Sequence, residues 1–383
     1  MARQANQQNQ ETIETISQYE HIRLRASMYI GRLGDGTDPN DGIYNFIKEI
    51  VANSIHEFRQ GYGNSIEIVI EDNVVSIRDY GRGIPLKYLA DAVGKIAMGG
   101  IYSKYHIPQR LKVINILSSE FIAQSVRDGE ARTVCFERGI MKDDLWETGI
   151  EEGDGTLIQF RADKEIFGKY EYHIELLDSY LRQQVCINKG LEIKLNERRY
   201  KSEDGLLDLI NDNLVERPLY PPIHLRGENI EVVITHCLGL QKRVIYSFAN
   251  SNYTPRGGKY QNALCRALTR TLSKFYDVKF LMADCCSSLY AAISIWMEDA
   301  EFDSRREKLW DGGPTISKYV GEFIDKELIE YLSKHPYIAQ IIKKEIMYIK
   351  SGTKKSKKYD KSKIYLKSAT IIQYTIKGRF MSR

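Results

Sequence analysis

Two short segments of this chain carry residue types suited to binding a nucleotide. In Glu49-Ile50-Val51-Ala52-Asn53 a carboxylate precedes a side-chain amide by four residues, and Asp79-Tyr80-Gly81-Arg82-Gly83 is followed by Ile84 and Pro85. A carboxylate can act as the base for an attacking water, and an amide oxygen suits Mg²⁺. A second carboxylate can accept a hydrogen bond from the amino group of adenine. We therefore interpret Glu49 as the candidate base, Asn53 as the candidate Mg²⁺ ligand and Asp79 as the candidate adenine ligand.

The neighbouring residues fit supporting roles in the same site. Gly81 would let the base approach the backbone closely, because glycine has no Cβ. Glu57 follows Asn53 by four residues, so both lie on one stripe of a helix. From that stripe Glu57 could pair with Arg82. Each pattern alone is common on helix surfaces or in hairpin turns, and it is their order along the chain that indicates a nucleotide site.

The elements that must position these residues are visible in the hydrophobic pattern. Apolar residues recur every three to four positions from Asp41 to Gln60, which predicts an amphipathic helix carrying Glu49 and Asn53. Alternation over 65–70 and 74–78 predicts a β-hairpin that ends at Asp79.

The remaining pattern predicts an α+β chain with two domains. Three prolines between Arg217 and Pro222 end regular structure and mark the predicted boundary. We expect an arm at 1–18, a first domain at 19–217, a second domain at 218–345 and a basic tail at 346–383. The predicted helices are 109–121, 172–184, 203–213, 261–275, 316–334 and 338–349, and the further predicted strands are 119–127, 131–137, 155–160, 191–195, 230–235, 243–248 and 291–297.

Composition excludes some classes of protein. The chain has 383 residues, 43% of them hydrophobic, and a formal net charge of +4, which by itself does not indicate nucleic-acid binding. Its polar start resembles no signal peptide, and no apolar run reaches the length of a membrane span, so we expect a cytoplasmic protein without a membrane partner. The arm could be a disordered terminus or could embrace a second copy of the chain. The lysine-rich tail could be a solvated segment or could contact DNA phosphates.

Several motifs together resemble one family. They include Arg25-Ala26-Ser27-Met28-Tyr29-Ile30-Gly31, the segment from Glu49 to Glu57, Arg78 to Pro85, and Asp154-Gly155-Thr156. In the second domain they include Ser247-Phe248-Ala249-Asn250, Thr254, Gly257-Gly258 and Gly313-Pro314-Thr315. Over residues 19–345 the chain resembles the ATPase (B) subunits of bacterial type IIA DNA topoisomerases, first those of topoisomerase IV and then those of gyrase.

The resemblance implies a fold, ligands and partners. It implies a GHKL-type (Bergerat) ATPase sandwich of mixed sheet and helices, followed by a transducer domain like ribosomal protein S5. It places Glu49 on the hydrolytic base and Asn53 on the Mg²⁺ ligand. The ATP site would further contain Glu57, Asp79, Gly81, Arg82, Gly83, Ile84, Pro85, Met98 and Thr156. The cofactors would be ATP and Mg²⁺, and the partners a DNA duplex, the DNA-cleaving (A) subunit of the topoisomerase and a second copy joined on nucleotide binding.

The sequence departs from the family pattern in three places. The glycine box that should precede Lys112-Val113-Ile114-Asn115 is missing, which removes backbone amides for the phosphates; Arg110 could offset this by its charge. No Q-T-K motif occurs near 303–308, where Arg306 or Lys308 could substitute. His56 stands where the family usually has Asp. The Toprim motifs are also absent, so we expect that this chain alone does not complete a DNA-cleavage site.

Two functional hypotheses follow. The first is the ATP-binding and transducer portion of a type IIA DNA topoisomerase, similar to the B subunits of topoisomerase IV, which couples ATP binding and hydrolysis to DNA strand passage. The second is a degenerate, non-hydrolysing paralogue that serves as a dimerisation or DNA-binding scaffold.

Overall fold

Two units, each with its own β-sheet, make up the chain. The computed structural model describes residues 16–94, 110–240, 242–297, 301–302, 309–311 and 315–351. Internal contacts group Met1–Leu181 with Gly190–Lys201 as the first unit, and Arg182–Lys189 with Ser202–Arg383 as the second. The division falls within a helix, earlier than the proline-rich segment at 217–222. Both units mix helices and strands, so the predicted α+β class is confirmed.

The first unit contains the two segments that suggested a nucleotide site. Its helices are α1 (Gln18–Leu24), α2 (Ala26–Ile30), α3 (Gly42–Arg59), α4 (Leu89–Gly94), α5 (Arg110–Ile116), α6 (Lys164–Phe167) and α7 (Glu175–Ile187), which the division crosses, with a 3-10 turn at Leu86–Tyr88. Its strands are β1 (Ser65–Glu71), β2 (Val74–Asp79), β3 (Ser118–Arg127), β4 (Glu130–Glu137), β5 (Ile140–Thr148), β6 (Gly155–Ala162), β7 (Glu192–Leu195) and β8 (Arg198–Tyr200).

These strands form one mixed sheet in the order β5-β4-β3-β6-β2-β1-β7-β8. Among the described strands of this sheet only the β1–β7 pairing is parallel, and in the β1–β2 hairpin Ile66 lies opposite Asp79. Helix α3 buries an apolar face that includes Phe46 and Ile50. Phe46 meets Phe160 of β6 edge to face, with 5.5 Å between ring centroids. This packing holds the helix that carries Glu49 and Asn53 beside the strand that ends at Asp79.

One expectation for the first unit is wrong in part, and one of its strands is not predicted. The helix predicted over 109–121 ends at Ile116, and β3 begins at Ser118, because these residues pair with the neighbouring strand β6. Strand β5 is absent from the predicted elements. All nine of its residues are exposed, so no buried face imposes the alternation by which a strand is recognised. Among the described strands, it pairs with β4 and lies at the edge of the sheet.

The second unit is a five-stranded sheet packed by helices. Its elements are α8 (Leu206–Asn213), β9 (Ile223–Arg226), β10 (Ile230–His236), β11 (Val244–Ala249), β12 (Asn252–Tyr253), α9 (Lys259–Tyr276), α10 (Met282–Cys286), β13 (Leu289–Ile295), β14 (Glu301–Phe302), β15 (Leu309–Asp311), α11 (Thr315–Lys334) and α12 (Pro336–Lys350). The sheet order is β12-β11-β13-β10-β9. Strand β9, also absent from the predicted elements, follows the prolines directly and pairs with β10.

Some expectations concern residues that the structure does not describe. Most of the predicted arm, residues 1–15, lies outside the described residues, as do 95–109, which hold Met98 and the segment in place of the glycine box. Residues 303–308, with Arg306 and Lys308, and the tail from 352 onward also lie outside them. Among the described residues no helix combines the length and the apolar character needed to cross a bilayer.

Candidate functional site

Asp79 is the centre of the candidate site. It is buried at the end of β2, where three donors surround its carboxylate. The backbone N–H groups of Gly81 and Thr156 donate to Oδ1 at 3.1 and 3.2 Å. The Ser54 hydroxyl donates to Oδ2 at 2.9 Å. The carboxylate is thereby fixed between α3, the turn after β2 and the start of β6.

These hydrogen bonds leave the Asp79 carboxylate with one unused acceptor position. An ionised carboxylate has about four acceptor positions, two on each oxygen. Two donors fill Oδ1 and one occupies Oδ2, so one position on Oδ2 remains for a ligand donor. Burial raises the pKa of Asp79, although the hydrogen bonds from Gly81, Ser54 and Thr156 oppose that rise. The site can accept a single N–H from an outside group.

Glycines surround Asp79 because side chains would not fit there. A Cβ on Gly81 would lie 2.9 Å from Glu57 Cβ, and one on Gly155 would lie 2.1 Å from the Asp79 carbonyl oxygen. Gly83 adopts a φ of +72°, and a Cβ there would lie 2.7 Å from the Val126 carbonyl oxygen. The turn after β2 can therefore pack against β3 and β6 only with glycine at these positions.

Glu57 and Arg82 form the predicted pair. Arg82 Nε donates to Oε2 and Nη2 to Oε1, each at 2.9 Å, which is the bidentate geometry that favours arginine. Burial acts to raise the pKa of Glu57, but the hydrogen bonds and charge of Arg82 outweigh it and the pKa is lowered. The Arg82 guanidinium also stacks over Tyr62 at 4.1 Å. This pair ties α3 to the glycine turn.

Glu49, the candidate base, is paired with Arg110 of α5. Arg110 Nη1 donates to Glu49 Oε1, and the Arg110 and Glu49 side chains are 42% and 20% exposed. Both residues line a small pocket beside α3, together with Tyr29, Asn45 and apolar residues. Glu49 therefore already has a cationic partner in this structure.

Asn53 lies one helical turn beyond Glu49 on α3. Its Nδ2 is buried without a hydrogen-bond partner among the described residues. Burying an amide without a partner costs free energy, so this atom suits an acceptor from outside the chain, such as a phosphate oxygen. A half-turn of the amide would instead present Oδ1, the atom that Mg²⁺ prefers.

The other predicted residues occupy varied positions. The carbonyl of Ile84 accepts from the Ser125 hydroxyl at 2.7 Å, and the carbonyl of Pro85 accepts from the backbone N–H of Tyr88 in the 3-10 turn. Thr156 supports Asp79 through its backbone rather than its side chain. Asn53, Glu57, Asp79 and the glycine turn are therefore brought together by α3, β2 and β6.

The sequence does not predict the contacts that two residues, Ser54 and Arg110, make in the site. The pattern places Ser54 on the apolar stripe of α3, and a hydroxyl on a buried face needs a partner, so its position was a usable signal. From the sequence, Arg110 is expected only as a cation for phosphates. Its contact with Glu49 joins residues 61 positions apart, and no local pattern reports such a pairing.

The residues present fit the two ligands at two points: Asp79 fits the adenine of ATP, and Asn53 fits a phosphate or Mg²⁺. Asp79 has one open acceptor position and Asn53 one unpartnered buried amide nitrogen. Gly81 lets the turn after β2 lie against Glu57 and Asp79, where a Cβ would clash. Among the described residues no group of three or more His, Cys, Asp or Glu side chains could hold a metal ion.

Comparison with known proteins points to one family. The family model described as DNA gyrase B matches residues 203–362. The B subunit of DNA topoisomerase 4 from Borreliella burgdorferi is 37% identical over 344 residues, which cover 88% of this chain and 57% of that protein. The B subunit of DNA gyrase from Staphylococcus epidermidis is 29% identical over 86% of this chain and 56% of that protein. The chain thus spans a little over half the length of these relatives.

A solved structure shares the fold. The 43K ATPase domain of Thermus thermophilus gyrase B, crystallised with an aminocoumarin, aligns with a TM-score of 0.73 and 23% identity. The alignment covers 86% of this chain and 94% of that one. This agreement confirms the predicted fold class, an ATPase-type sandwich followed by a second α+β domain.

Proposed function

This chain belongs to the family of gyrase and topoisomerase IV B subunits, and we propose that it is the ATP-binding and transducer portion of a type IIA DNA topoisomerase. The observation that carries the proposal is the Asp79 carboxylate, held by three donors with one acceptor position left. A buried carboxylate with a single open position suits the exocyclic amine of adenine.

The chain's own residues divide the work. Asp79 recognises the adenine, Thr156 and Ser54 orient Asp79, and Asn53 holds the metal. Glu57 and Arg82 fix the glycine turn against α3. When bound, Mg²⁺·ATP supplies an electrophilic phosphorus, and the metal offsets the negative charge of the phosphate oxygens. Glu49 is the group that would accept the proton of the attacking water at a carboxylate oxygen, once that oxygen is free of Arg110.

Calorimetric titration tests the binding half of this proposal. Adenosine and a non-hydrolysable ATP analogue with Mg²⁺ should both bind the wild type, and the analogue more tightly. Asp79→Asn should weaken both, by about tenfold or more, because its amide oxygen would accept from the two backbone donors and its nitrogen, which cannot accept a hydrogen bond, would take the open position. Glu120→Ala, which changes an exposed glutamate on β3, is the control and should bind normally. Absence of binding by the wild type would refute the proposal.

Steady-state phosphate release tests the catalytic half. Wild type should release phosphate and Glu49→Ala should lose about a hundredfold or more of that rate, the usual contribution of a general base. Equal rates for the two proteins would remove Glu49 from that role.

The alternative is a degenerate, non-hydrolysing paralogue that serves as a dimerisation or DNA-binding scaffold. It is favoured by the missing glycine box in the sequence and by the engagement of Glu49 with Arg110. Under this alternative wild type and Glu49→Ala release phosphate at the same background rate, and submillimolar binding of the ATP analogue would contradict a pure scaffold.

The proposed partners are a DNA duplex, the DNA-cleaving (A) subunit of the topoisomerase and a second copy of this chain. Light scattering with and without the ATP analogue tests the last of these. A shift from monomer to dimer on addition of the analogue is expected, and a monomer under both conditions would contradict nucleotide-driven dimerisation. Coupling to strand passage requires the complete A and B subunits, so relaxation and decatenation assays belong to the reconstituted enzyme.

A further inference from the structure

The contact between Arg110 and Glu49 places a cation on the candidate base. Arg110 is the first residue of α5, and its guanidinium donates to the Glu49 carboxylate from across the small pocket beside α3. Val113 and Ile114 of the same helix line that pocket with Phe46. The pair is therefore set by the packing of α5 against α3.

A carboxylate in such a pair is a poor base for water. To take a proton it must turn a lone pair toward the water, and the guanidinium already occupies a position on Oε1 and fixes the carboxylate in its present direction. Removal of the cation would free that lone pair and let the carboxylate turn toward the water. In this arrangement Arg110 orients the Glu49 carboxylate and keeps it from acting on water.

We propose that Arg110 is a positioning residue that restrains Glu49 until a triphosphate draws its guanidinium away. The inference rests on the proposed function, because it assumes that the nucleotide binds beside Asn53. In the bound state Arg110 contacts the phosphates, and Glu49 is released to act on water.

The energetics permit this exchange. The Arg110 side chain is 42% exposed, and ion pairs that reach solvent contribute about 1 kcal/mol or less. A triphosphate carries several negative charges and can accept the same guanidinium in a bidentate manner. Asn53 follows Glu49 by one helical turn, so the two side chains are about 6 Å apart at Cβ. A long arginine side chain can cover that distance by changing rotamer while α5 stays in place.

The exchange also accounts for a cation at this point of the sequence. Where the glycine box is missing, fewer backbone amides can offset phosphate charge. Arg110 would supply part of that charge, and would do so only for ligands that carry phosphates. Adenosine would leave the pair with Glu49 intact.

A double-mutant cycle on binding tests the proposal without requiring turnover. The proteins are wild type, Glu49→Ala, Arg110→Ala and the double variant, with Arg110→Lys as the conservative variant. The probes are the non-hydrolysable ATP analogue with Mg²⁺, and adenosine. Arg198→Ala is the matched control, because Arg198 is 45% exposed and pairs with Asp178 elsewhere in the first unit. Thermal unfolding verifies that each variant is folded.

The expected results are specific. Glu49→Ala should bind the analogue up to about fivefold more tightly, the factor equivalent to releasing an exposed ion pair. Arg110→Ala should bind it about tenfold more weakly, which is the loss of one charge-assisted hydrogen bond to phosphate. Arg110→Lys should recover part of that loss. The double variant should match Arg110→Ala, and adenosine should bind all variants alike.

Other results would overturn the proposal. If Glu49→Ala does not tighten analogue binding, or if it does so equally without Arg110, the guanidinium is not being held back by Glu49. If adenosine affinity changes in parallel with analogue affinity, Arg110 has a structural role only. Both outcomes leave the proposed function intact, whereas failure of the wild type to bind either probe would refute both proposals together.

Discussion

Ser54 donates its hydroxyl to Asp79 Oδ2 across 2.9 Å, and this bond connects helix α3 to the end of strand β2. Both side chains are buried, so water does not compete for the bond. Because Asn53 is the preceding residue on α3, the direction of the Asp79 carboxylate and the position of the candidate metal ligand depend on the same turn of helix.

Ser54→Ala should therefore alter both stability and ionisation. Losing the hydroxyl removes one of the bonds that lower the pKa of Asp79, so that pKa should rise further. The free energy of unfolding should fall by about 1 kcal/mol. Carbon-13 NMR titration of the carboxyl group and urea unfolding measure the two effects. Ser119→Ala, which removes a hydroxyl bonded to the Arg161 carbonyl, is the control and should leave the Asp79 titration unchanged.

As the pH falls, the affinity for adenosine should begin to decrease at a higher pH than it would if Asp79 were an exposed aspartate. Burial raises the folded pKa of Asp79 above 3.8, so the carboxyl takes up its proton earlier as the pH falls, and the open acceptor position is lost. Affinity should then drop about tenfold for each further pH unit. Calorimetry across this range measures the drop, after correction for protonation of free adenosine. A constant affinity down to the ordinary pKa of aspartate would contradict the assignment.

The same shift has the opposite effect on stability. A raised folded pKa means that the native state holds its proton more tightly than the unfolded chain does. The contribution of Asp79 therefore favours folding below 3.8 and is lost as the pH rises through the folded pKa. Acid should weaken ligand binding by Asp79 while relieving the cost of burying its charge.

Gly83→Ala should destabilise the first unit more than the same change at a matched glycine. Gly149 has a φ of +73°, against +72° for Gly83, but a Cβ at Gly149 meets no atom within 4 Å. Gly149→Ala should cost about 1 kcal/mol for the left-handed backbone. Gly83→Ala should cost about 2 kcal/mol more, because its Cβ presses on the Val126 carbonyl oxygen. Urea unfolding measures both variants. Equal losses in the free energy of unfolding would show that the turn after β2 shifts to accommodate the Cβ without cost.

The second unit should lose stability below neutral pH because of His236. Burial lowers the pKa of His236 below 6.5, although its hydrogen bond to the Cys285 carbonyl acts to raise it. The unfolded chain therefore takes up a proton that the native state excludes, and the contribution present above 6.5 is lost as the pH falls. The slope from one such group approaches about 1.4 kcal/mol per pH unit.

Urea unfolding between about pH 7.5 and about pH 5.5 measures this loss. His236→Gln should be less stable at the higher pH but should show a flatter pH profile than wild type. His335→Gln, which removes a histidine stacked on Tyr331 at the surface, should keep the wild-type profile. A wild-type slope that survives in His236→Gln would assign the effect to other groups.

The elements around the site can be predicted because their sequence pattern is set by burial. The periodicity over 41–60 predicts helix α3, which forms at Gly42–Arg59, and the β1–β2 hairpin ends at Asp79 as expected. Strand β5 has no buried face, so its sequence carries no alternation, and only its pairing with β4 defines it. The Glu57–Arg82 pair is predictable because each residue belongs to one of the two motifs that define the site. The Glu49–Arg110 pair is not, since it depends on how α5 packs against α3.

The one acceptor position left on Asp79 would also choose between purines. Adenine offers an exocyclic amine to it, whereas guanine and hypoxanthine present a carbonyl oxygen at the equivalent atom. Two lone pairs facing each other in a buried site forfeit a hydrogen bond and leave both groups unsolvated, which costs about 1–3 kcal/mol for each unsatisfied group. The acceptor position of the Asp79 carboxylate, rather than the size of a cavity, would make this unit reject GTP and ITP.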